Sequence, residues 1–308
     1  MNDTSSKESA EKSFQRTPPA ITLPKGGGAI RGMGEKFAAN PVTGTGSMSV
    51  PIATSPGRSG FGPQLSLSYD SGAGNGPFGL GWNLSLPSIT RKTDKGLPKY
   101  HDAEESDVFI LSGAEDLVPE LERDANGGWL IKNGKYVIHD KPRTVDGVEY
   151  RVRRYRPRIE GLFARIERWT RGADGDVHWR SISKDNITTW YGKTENSRIF
   201  DPSDNTHVFS WLICQSYDDK GNAIVYEYKE ENSDDVALFQ AHERNRTDLT
   251  RTANRYLKRI KYGNRDSRLV QQDLTKASWM FEVVFDYGEA HYEDELNAAH
   301  PRDQFARA

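Results

Sequence analysis

Strict two-residue alternation on either side of a glycine-rich break is the feature that most limits how this chain can fold. In "FGPQLSLSYDSGAGNGPFGLGWNLSLPSIT" (residues 61–90), Leu65, Leu67 and Tyr69 alternate with Gln64, Ser66 and Ser68, and Trp82, Leu84 and Leu86 alternate with Asn83 and Ser85. A period of two puts every second side chain on one face, so both arms predict strands with one buried side. Between them lie Gly72, Gly74, Gly76, Pro77, Gly79 and Gly81, with Trp82 at the start of the returning arm. A phosphate-binding loop needs a helix after the glycines, because the helix N-terminus supplies the free N–H groups. Here Pro77 interrupts, a strand pattern follows, and no Gly-Lys-Ser/Thr ending is present. The run is therefore expected to be structural: a tight bend with close backbone approach, which glycine permits at low steric cost, anchored by Trp82.

The same habit recurs along the chain. "MSVPIAT" is a short alternating piece in which Pro51 suits an edge or a break. "DVFILSG", "GDVHWRSIS", "NITTWYG" and "ENSRIF" are short strand candidates. "EYRVRRYRPRIEGLFARIERWT" opens as a strand with Tyr150, Val152, Arg154 and Arg156 on one face. Its second half suits a strand or a short helix, with strand favoured because Gly161 interrupts. "HVFSWLICQSYDDKGNAIVYEYKE" predicts two strands joined at Asp218–Asn222, where Gly and Asn tolerate positive φ. Residues 231–255 read as a polar loop or short helix. "RYLKRIKYGN" resumes the strand pattern and is expected to end in a turn at Gly263-Asn264. In "SWMFEVVFDYGEAHY", Phe281, Val283, Phe285 and Tyr287 share a face. There are no clear βαβ units, so the fold class is mainly β, with many short antiparallel strands.

Composition narrows the function. Forty-two basic and 44 acidic residues give a net charge of −2, so no global field selects nucleic acid or an anionic membrane. Hydrophobic residues are 35% of the chain, which suits a wound sheet better than a thick core. Cys214 is the only cysteine, excluding an intrachain disulfide, and its apolar strand context reads as a buried small hydrophobe. The seven histidines (His101, His139, His178, His207, His242, His291 and His300) form no short metal-ligand spacing, and the acidic "HYEDE" at 291–295 lacks the oxygen periodicity of a calcium loop. Neither a metal nor another cofactor is expected. Glu104-Glu105 and Asp218-Asp219 are adjacent, so on a strand they would point apart and make poor acid/base pairs. The basic run Arg151, Arg153, Arg154, Arg156 and Arg158 reads as a solvated sheet face, or one paired with a partner's acids. No catalytic residue emerges. The polar N-terminus has no apolar core of a cleavable signal, and no run approaches the roughly 18 apolar residues of a membrane-spanning helix.

Residues 21–92, beginning "ITLPKGGGAIRGMGEKFAANPVTGTGSMSVPIATSPGRSG" and continuing through the bend to "SITRK", resemble the start of the B component of bacterial ABC-type insecticidal toxin complexes (Tc toxins). The same region occurs in the SpvB family of virulence proteins. "YDDKGNAIVYEY" and "RYLKRIKYGN" are similar to pieces of RHS/YD-repeat shells. The resemblance implies that the strands form part of a hollow β-shell built with a C component, whose toxic C-terminal region the shell holds unfolded. A propeller in B docks that shell onto a pentameric A component. It implies a secreted, non-enzymatic structural and translocation role, with neither nucleic-acid binding nor direct membrane insertion. The propeller and the later shell strands are expected beyond residue 308; in the SpvB group a C-terminal ADP-ribosyltransferase domain modifies actin, and that domain is not expected within these 308 residues. The resulting division is a disordered arm at 1–20 and a β domain at 21–308. The alternatives are a carbohydrate- or protein-binding β-sandwich, with Trp82, Trp129, Trp179 or Trp190 as exposed stacking platforms, and the non-catalytic N-terminal part of an ADP-ribosyltransferase toxin.

Overall fold

The computed structural model describes residues 36–40, 44–112, 115–159, 161, 163–234 and 236–287. The arm at 1–20, the glycine run of 25–34, and the acidic 291–295 stretch with His291 and His300 lie outside the described residues.

A four-stranded antiparallel sheet comes first: β1 (Lys36–Asn40), β2 (Thr45–Ile52), β3 (Leu65–Asp70) and, after a small hairpin of β4 (Asn75–Gly76) and β5 (Gly79–Leu80), β6 (Trp82–Leu84). β2 lies between β1 and β3, yet its pairing with β1 reaches only Ser49, so Pro51 sits where the missing N–H costs no ladder bond on that side.

The chain then enters a 13-stranded sheet through β7 (Ser88–Arg91), β8 (Phe109–Leu111) and β9 (Glu115–Pro119). A separate hairpin, β10 (Ile131–Lys132) and β11 (Lys135–Tyr136), interrupts. There follow β12 (Asp140–Val145), β13 (Val148–Pro157), β14 (Arg165–Arg171), β15 (Val177–Ile182), β16 (Thr188–Tyr191), β17 (Arg198–Asp201), β18 (Asp204–Tyr217), β19 (Ala223–Glu230), β20 (Arg255–Asn264) and β21 (Trp279–Val284). Strand order runs β16-β15-β14-β13-β9-β8-β7-β18, and β16 also pairs with β18. That pairing closes the eight strands into an antiparallel barrel, and β19, β20 and β21 extend from β18 as a flap of sheet. The fold is mainly β, as expected. The sandwich alternative gives way to a closed barrel.

An eight-stranded barrel is narrow enough for its own side chains to fill it. Phe109, Tyr155, Trp179 and Trp211 meet edge to face or tilted, with ring centroids 4.9–6.0 Å apart. Trp179, one of the stacking platforms under the sandwich alternative, is 0% exposed. Its place on β15 puts it in the inward phase, opposite Arg168 and Tyr191. The low apolar fraction thus conceals a dense aromatic core. Leu65 and Leu84 of the small sheet join the same cluster, and the Tyr262 hydroxyl donates to the Ser55 carbonyl at 2.9 Å. Phe281, Val283 and Phe285 pack against it from β21 and beyond.

In the ambiguous "IEGLFARIERW", the described residues Ile159, Gly161, Phe163 and Ala164 are loop, and strand β14 begins at Arg165. The described residues of 231–254 are mostly loop, with a 3-10 turn at Ala241–Glu243 and one α-helical turn, α1 (Asp248–Arg251), capped by Thr247. The turn expected at Gly263-Asn264 is instead strand. Gly263 stays within β20 at φ +66° although the pairing with β21 skips it, and Asn264 pairs with Trp279 while its buried amide donates to the Gly221 and Asp266 carbonyls.

Replacing Trp179 with alanine should cost about 3–5 kcal/mol, because a fully buried indole leaves a cavity among three rings. Urea unfolding of the two proteins measures this; a loss under about 1 kcal/mol would mean that the barrel interior collapses freely.

Candidate functional site

The glycine bend needs its glycines unequally. Gly81 has φ +79°, and a Cβ there would fall 2.5 Å from Tyr69 Cε2 and 2.8 Å from the Asp70 carbonyl oxygen. Its N–H donates to Gly74 O and its carbonyl accepts from Asp70 N. Gly72 would meet Thr45 Cγ2 at 2.8 Å, and Gly76 would meet Trp82 O at 3.0 Å. Gly79 has φ +97° in open space, and Gly74 has neither a positive φ nor a neighbour within 4 Å. Pro77 and Phe78 form the tip between β4 and β5, and Phe78 packs on Phe285. Trp82 is half-buried, its ring 5.3 Å from that of Tyr69. No helix follows the bend.

The charged residues gather elsewhere, at one mouth of the barrel. A cleft of about 860 Å³ opens there, lined among others by Asp102, Asp140, Arg153, Arg168, Asp176 and Arg198. Strand phase explains the arginines. Arg91 follows Ile89 by two residues, Arg168 follows Ile166 and Arg198 precedes Phe200, so each shares the inward face of its strand.

Each of these three guanidiniums is met by a carboxylate from a connecting loop, Arg91 and Arg168 from the long β7–β8 connection and Arg198 from the loop before β15. Arg91, 1% exposed, donates to Val208 O at 2.7 Å, to Asp102 at 2.6 and 3.0 Å and to Asp107 at 2.8 Å. It also lies over the rings of Tyr100, Phe109 and Trp211. Glu105 accepts from Arg153 and from the Tyr155 hydroxyl at 2.8 Å, with Arg168 3.3 Å away. Arg153 and Arg151 share Asp140, and Arg198 holds Asp176 and the Gly192 carbonyl. Arg168 stands over Phe109 and Tyr155, and its Nε and Nη1 have no hydrogen-bond partner.

Burial alone would raise the Asp107 carboxyl, but the Lys99 and Tyr100 backbone N–H groups and Arg91 outweigh it and hold it below 3.8. Desolvation likewise opposes ionisation of Asp140, and Arg151 and Arg153 overcome it. The Tyr155 hydroxyl is pushed up, by burial first and then by Glu105.

The predicted basic run divides by phase. Arg151 and Arg153 line the mouth, and Arg153 is ion-paired rather than solvated. Arg154 and Arg156 face outward, as Tyr150 and Val152 do. Of the two adjacent carboxylates, Glu105 turns in at φ +52° and Glu104 is exposed. Asp218 accepts from the backbone N–H of Lys220 and Asn222, forming the predicted β18–β19 turn, while Asp219 is exposed. Cys214 is buried; desolvation raises its thiol, whose nearest acceptor is Trp190 O. His178 is buried on the outward face, and desolvation lowers it to about 3. Among the described residues no three His, Cys, Asp or Glu side chains group as metal ligands. The clustering of Arg91, Arg168 and Arg198 escaped the sequence reading, although their phase with Ile89, Ile166 and Phe200 was available.

Residues 40–305 match the family model described as Salmonella virulence plasmid 65kDa B protein, SpvB. The chain belongs to the SpvB family. It is 37% identical over 278 residues to the mono(ADP-ribosyl)transferases SpvB of Salmonella typhimurium and Salmonella choleraesuis, covering 89% of this chain and 43% of each relative. The chain thus spans less than half the length of these curated relatives. The solved N-terminal domain of the Salmonella typhimurium effector protein SpvB is 34% identical, with a TM-score of 0.67 over 80% of this chain and 74% of that one. TcdB2-TccC3 matches at 34% identity and TM-score 0.69, covering 88% of this chain and 12% of that chain. The Photorhabdus luminescens Tc holotoxin pore matches at the same identity and score, over 90% and 12%. The SpvB family fold is therefore shared between an effector and toxin complexes, and the part of SpvB matched in structure is its N-terminal domain.

Gly81→Ala should cost about 2 kcal/mol or more from the left-handed φ and the clash with Tyr69, whereas Gly74→Ala should be neutral or stabilising by up to about 1 kcal/mol. Denaturation midpoints of the two variants measure the contrast; equal effects would refute it.

Because Asp107 and Asp140 are lowered in the folded state, the unfolded chain binds their protons more readily. Their stabilisation is present above about pH 4 and fades as the pH falls through their folded values. Unfolding free energy measured from pH 6 down to 3 should fall. Asp107→Asn should flatten that slope and cost about 3 kcal/mol at pH 7, since Arg91 stays buried with one acid fewer.

Proposed function

We propose that the chain is a non-catalytic structural module of a toxin or effector assembly, contributing to a β-shell that encloses and helps deliver the toxic C-terminal cargo of an RHS-type partner subunit. The observation that carries this reading is the match to TcdB2-TccC3, in which 88% of this chain corresponds to 12% of a much larger one. A fold that recurs as one small part of such a chain suits a building block. Docking to a pentameric A component belongs, in this reading, to regions beyond this chain, and the assembly acts outside the producing cell. The division into an arm at 1–20 and a β domain at 21–308 belongs to the same proposal, with the Gly72–Trp82 bend as a structural element.

The charge arrangement supports a non-catalytic role. The mouth carboxylates are committed to guanidinium groups, His178 is displaced to about 3, and the Cys214 thiol is raised and buried. None is poised for proton transfer near neutral pH.

The full-length protein, co-purified with its RHS-type partner, should protect the partner's C-terminal region from added protease and show a hollow particle by electron microscopy. The isolated chain should hydrolyse no NAD above the buffer blank. Free cleavage of the cargo with the shell assembled, or NAD turnover abolished by changes within residues 36–287, would overturn the reading.

A further inference from the structure

The outward face of the barrel carries an arrangement that the shell reading does not use. Across β12, β14, β15 and β16, cations and indoles alternate. Arg143 lies 5.5 Å from the Trp169 ring centre, Arg180 lies 4.8 Å from Trp169 and 5.4 Å from Trp190, and Lys193 lies 5.0 Å from Trp190. The two indoles are themselves 5.7 Å apart. Inside this ladder Glu167, 1% exposed, accepts from Arg180, Arg165 and Trp169 Nε1, with Arg154 4.0 Å away. Desolvation opposes its ionisation, but the charge and hydrogen bonds of Arg180, and then Arg165, overcome it and hold the carboxyl below the usual glutamate range. The face has thus built one carboxylate site and filled it from its own chain.

Its outer cations are not filled. Arg143, Arg156 and Lys193 are exposed, and none has a carboxylate within ion-pair distance among the described residues. Neighbouring cations do have partners: Lys141 pairs with Glu122, Arg158 with Asp116, and Arg171 with Asp174. These three cations therefore keep their charge free for an external partner, as Glu120 and Glu195 near the edges of this face also keep theirs, on a chain whose net charge is −2.

The chemistry of the occupant follows from what remains accessible. Single-stranded nucleic acid and sugars bind such surfaces by stacking on ring faces. Trp169 is 3% exposed, and both indoles already have cations seated over them, so little ring face is left. What the face still offers is guanidinium N–H edges and an ammonium, the donors that carboxylates accept.

We propose that the outward face of β12–β16 docks an acidic polypeptide segment, received by Arg143, Arg156 and Lys193 at the margins of the cation–indole ladder. This stands whether or not the shell reading holds, because it rests on this face alone.

The test uses the full-length protein and fluorescein-labelled decaglutamate, read by anisotropy at low salt. Reversing the three cations together (Arg143→Glu, Arg156→Glu, Lys193→Glu) should weaken binding about tenfold, since each exposed pair contributes up to about 1 kcal/mol. Reversing three exposed lysines elsewhere (Lys95→Glu, Lys99→Glu, Lys220→Glu) should leave binding within about twofold, apart from the small long-range effect of net charge. Thermal unfolding checks that both variants fold, and the corresponding Gln set replaces any that does not. The proposal is overturned if the wild type does not bind the peptide, or if the face variant keeps its affinity. It also fails if the control set loses as much, or if an oligonucleotide of equal charge or a phosphatidylserine vesicle binds this face more tightly than the peptide.

Discussion

The pairing of β16 with the C-terminal half of β18 is the constraint on which the rest depends. β18 is long enough to serve two neighbours on each edge: β17 and then β16 along one side, β7 and then β19 along the other. The register with β16 shifts at Trp190/Tyr191, so that Tyr191 faces Ile213 and Trp190 faces Gln215, bulging β18 at Cys214. A bulge increases local twist and bends the strand, as turning from an open flap into a ring requires. Once the ring is shut, inward and outward phases are fixed for every strand. A one-residue slip would send Trp179 outward and Arg180 into the core.

That commitment explains the mouth. The inward phase of β7, β14 and β17 carries Arg91, Arg168 and Arg198 to one end of the barrel, where all three are buried. A guanidinium buried without a counter-charge would cost several kcal/mol, so the chain must bring acids to it. The connection between β7 and β8 does this. Asp102, Glu105 and Asp107 all lie on it and all turn towards arginines of the barrel. Its conformation follows from charge compensation more than from local propensity: Glu105 and Tyr100 both hold positive φ, an arrangement few side chains adopt unless other contacts require it.

Local alternation was readable in the residues, and closure was not. Leu65–Tyr69, Trp82–Leu84 and Phe281–Phe285 announced their strands because each buries one face against near neighbours. The ring depends on contacts such as Thr90 with Ser210, 120 residues apart, which no periodicity encodes. For the same reason Trp179 looked available as a platform: alternation shows that a strand has two faces without showing that one of them lines a sealed interior. Arg153 looked solvated because its partners, Glu105 and Asp140, come from other strands and loops. Gly263-Asn264 looked like a turn because Gly-Asn tolerates one, yet the Asn264 amide is satisfied inside the sheet. The family was legible from the long ordered run through the bend, a signal that depends on many residues together.

The two faces of the barrel divide stability from association. Inside, aromatic rings and paired arginines consume their own interactions: Arg91 alone makes four hydrogen bonds and lies over three rings, so little is left for a ligand. Outside, the cation–indole ladder stiffens the sheet while leaving its outermost charges unpaired. The same fold occurs in a mono(ADP-ribosyl)transferase relative and in Tc toxin chains that are far longer than this one. A module shared between such different proteins keeps what holds it shut and can vary what it shows to neighbours. In this barrel the sequence phase that closes the core is also what assigns each charge to one task or the other, because neighbouring residues such as Arg153 and Arg154 cannot face the same way.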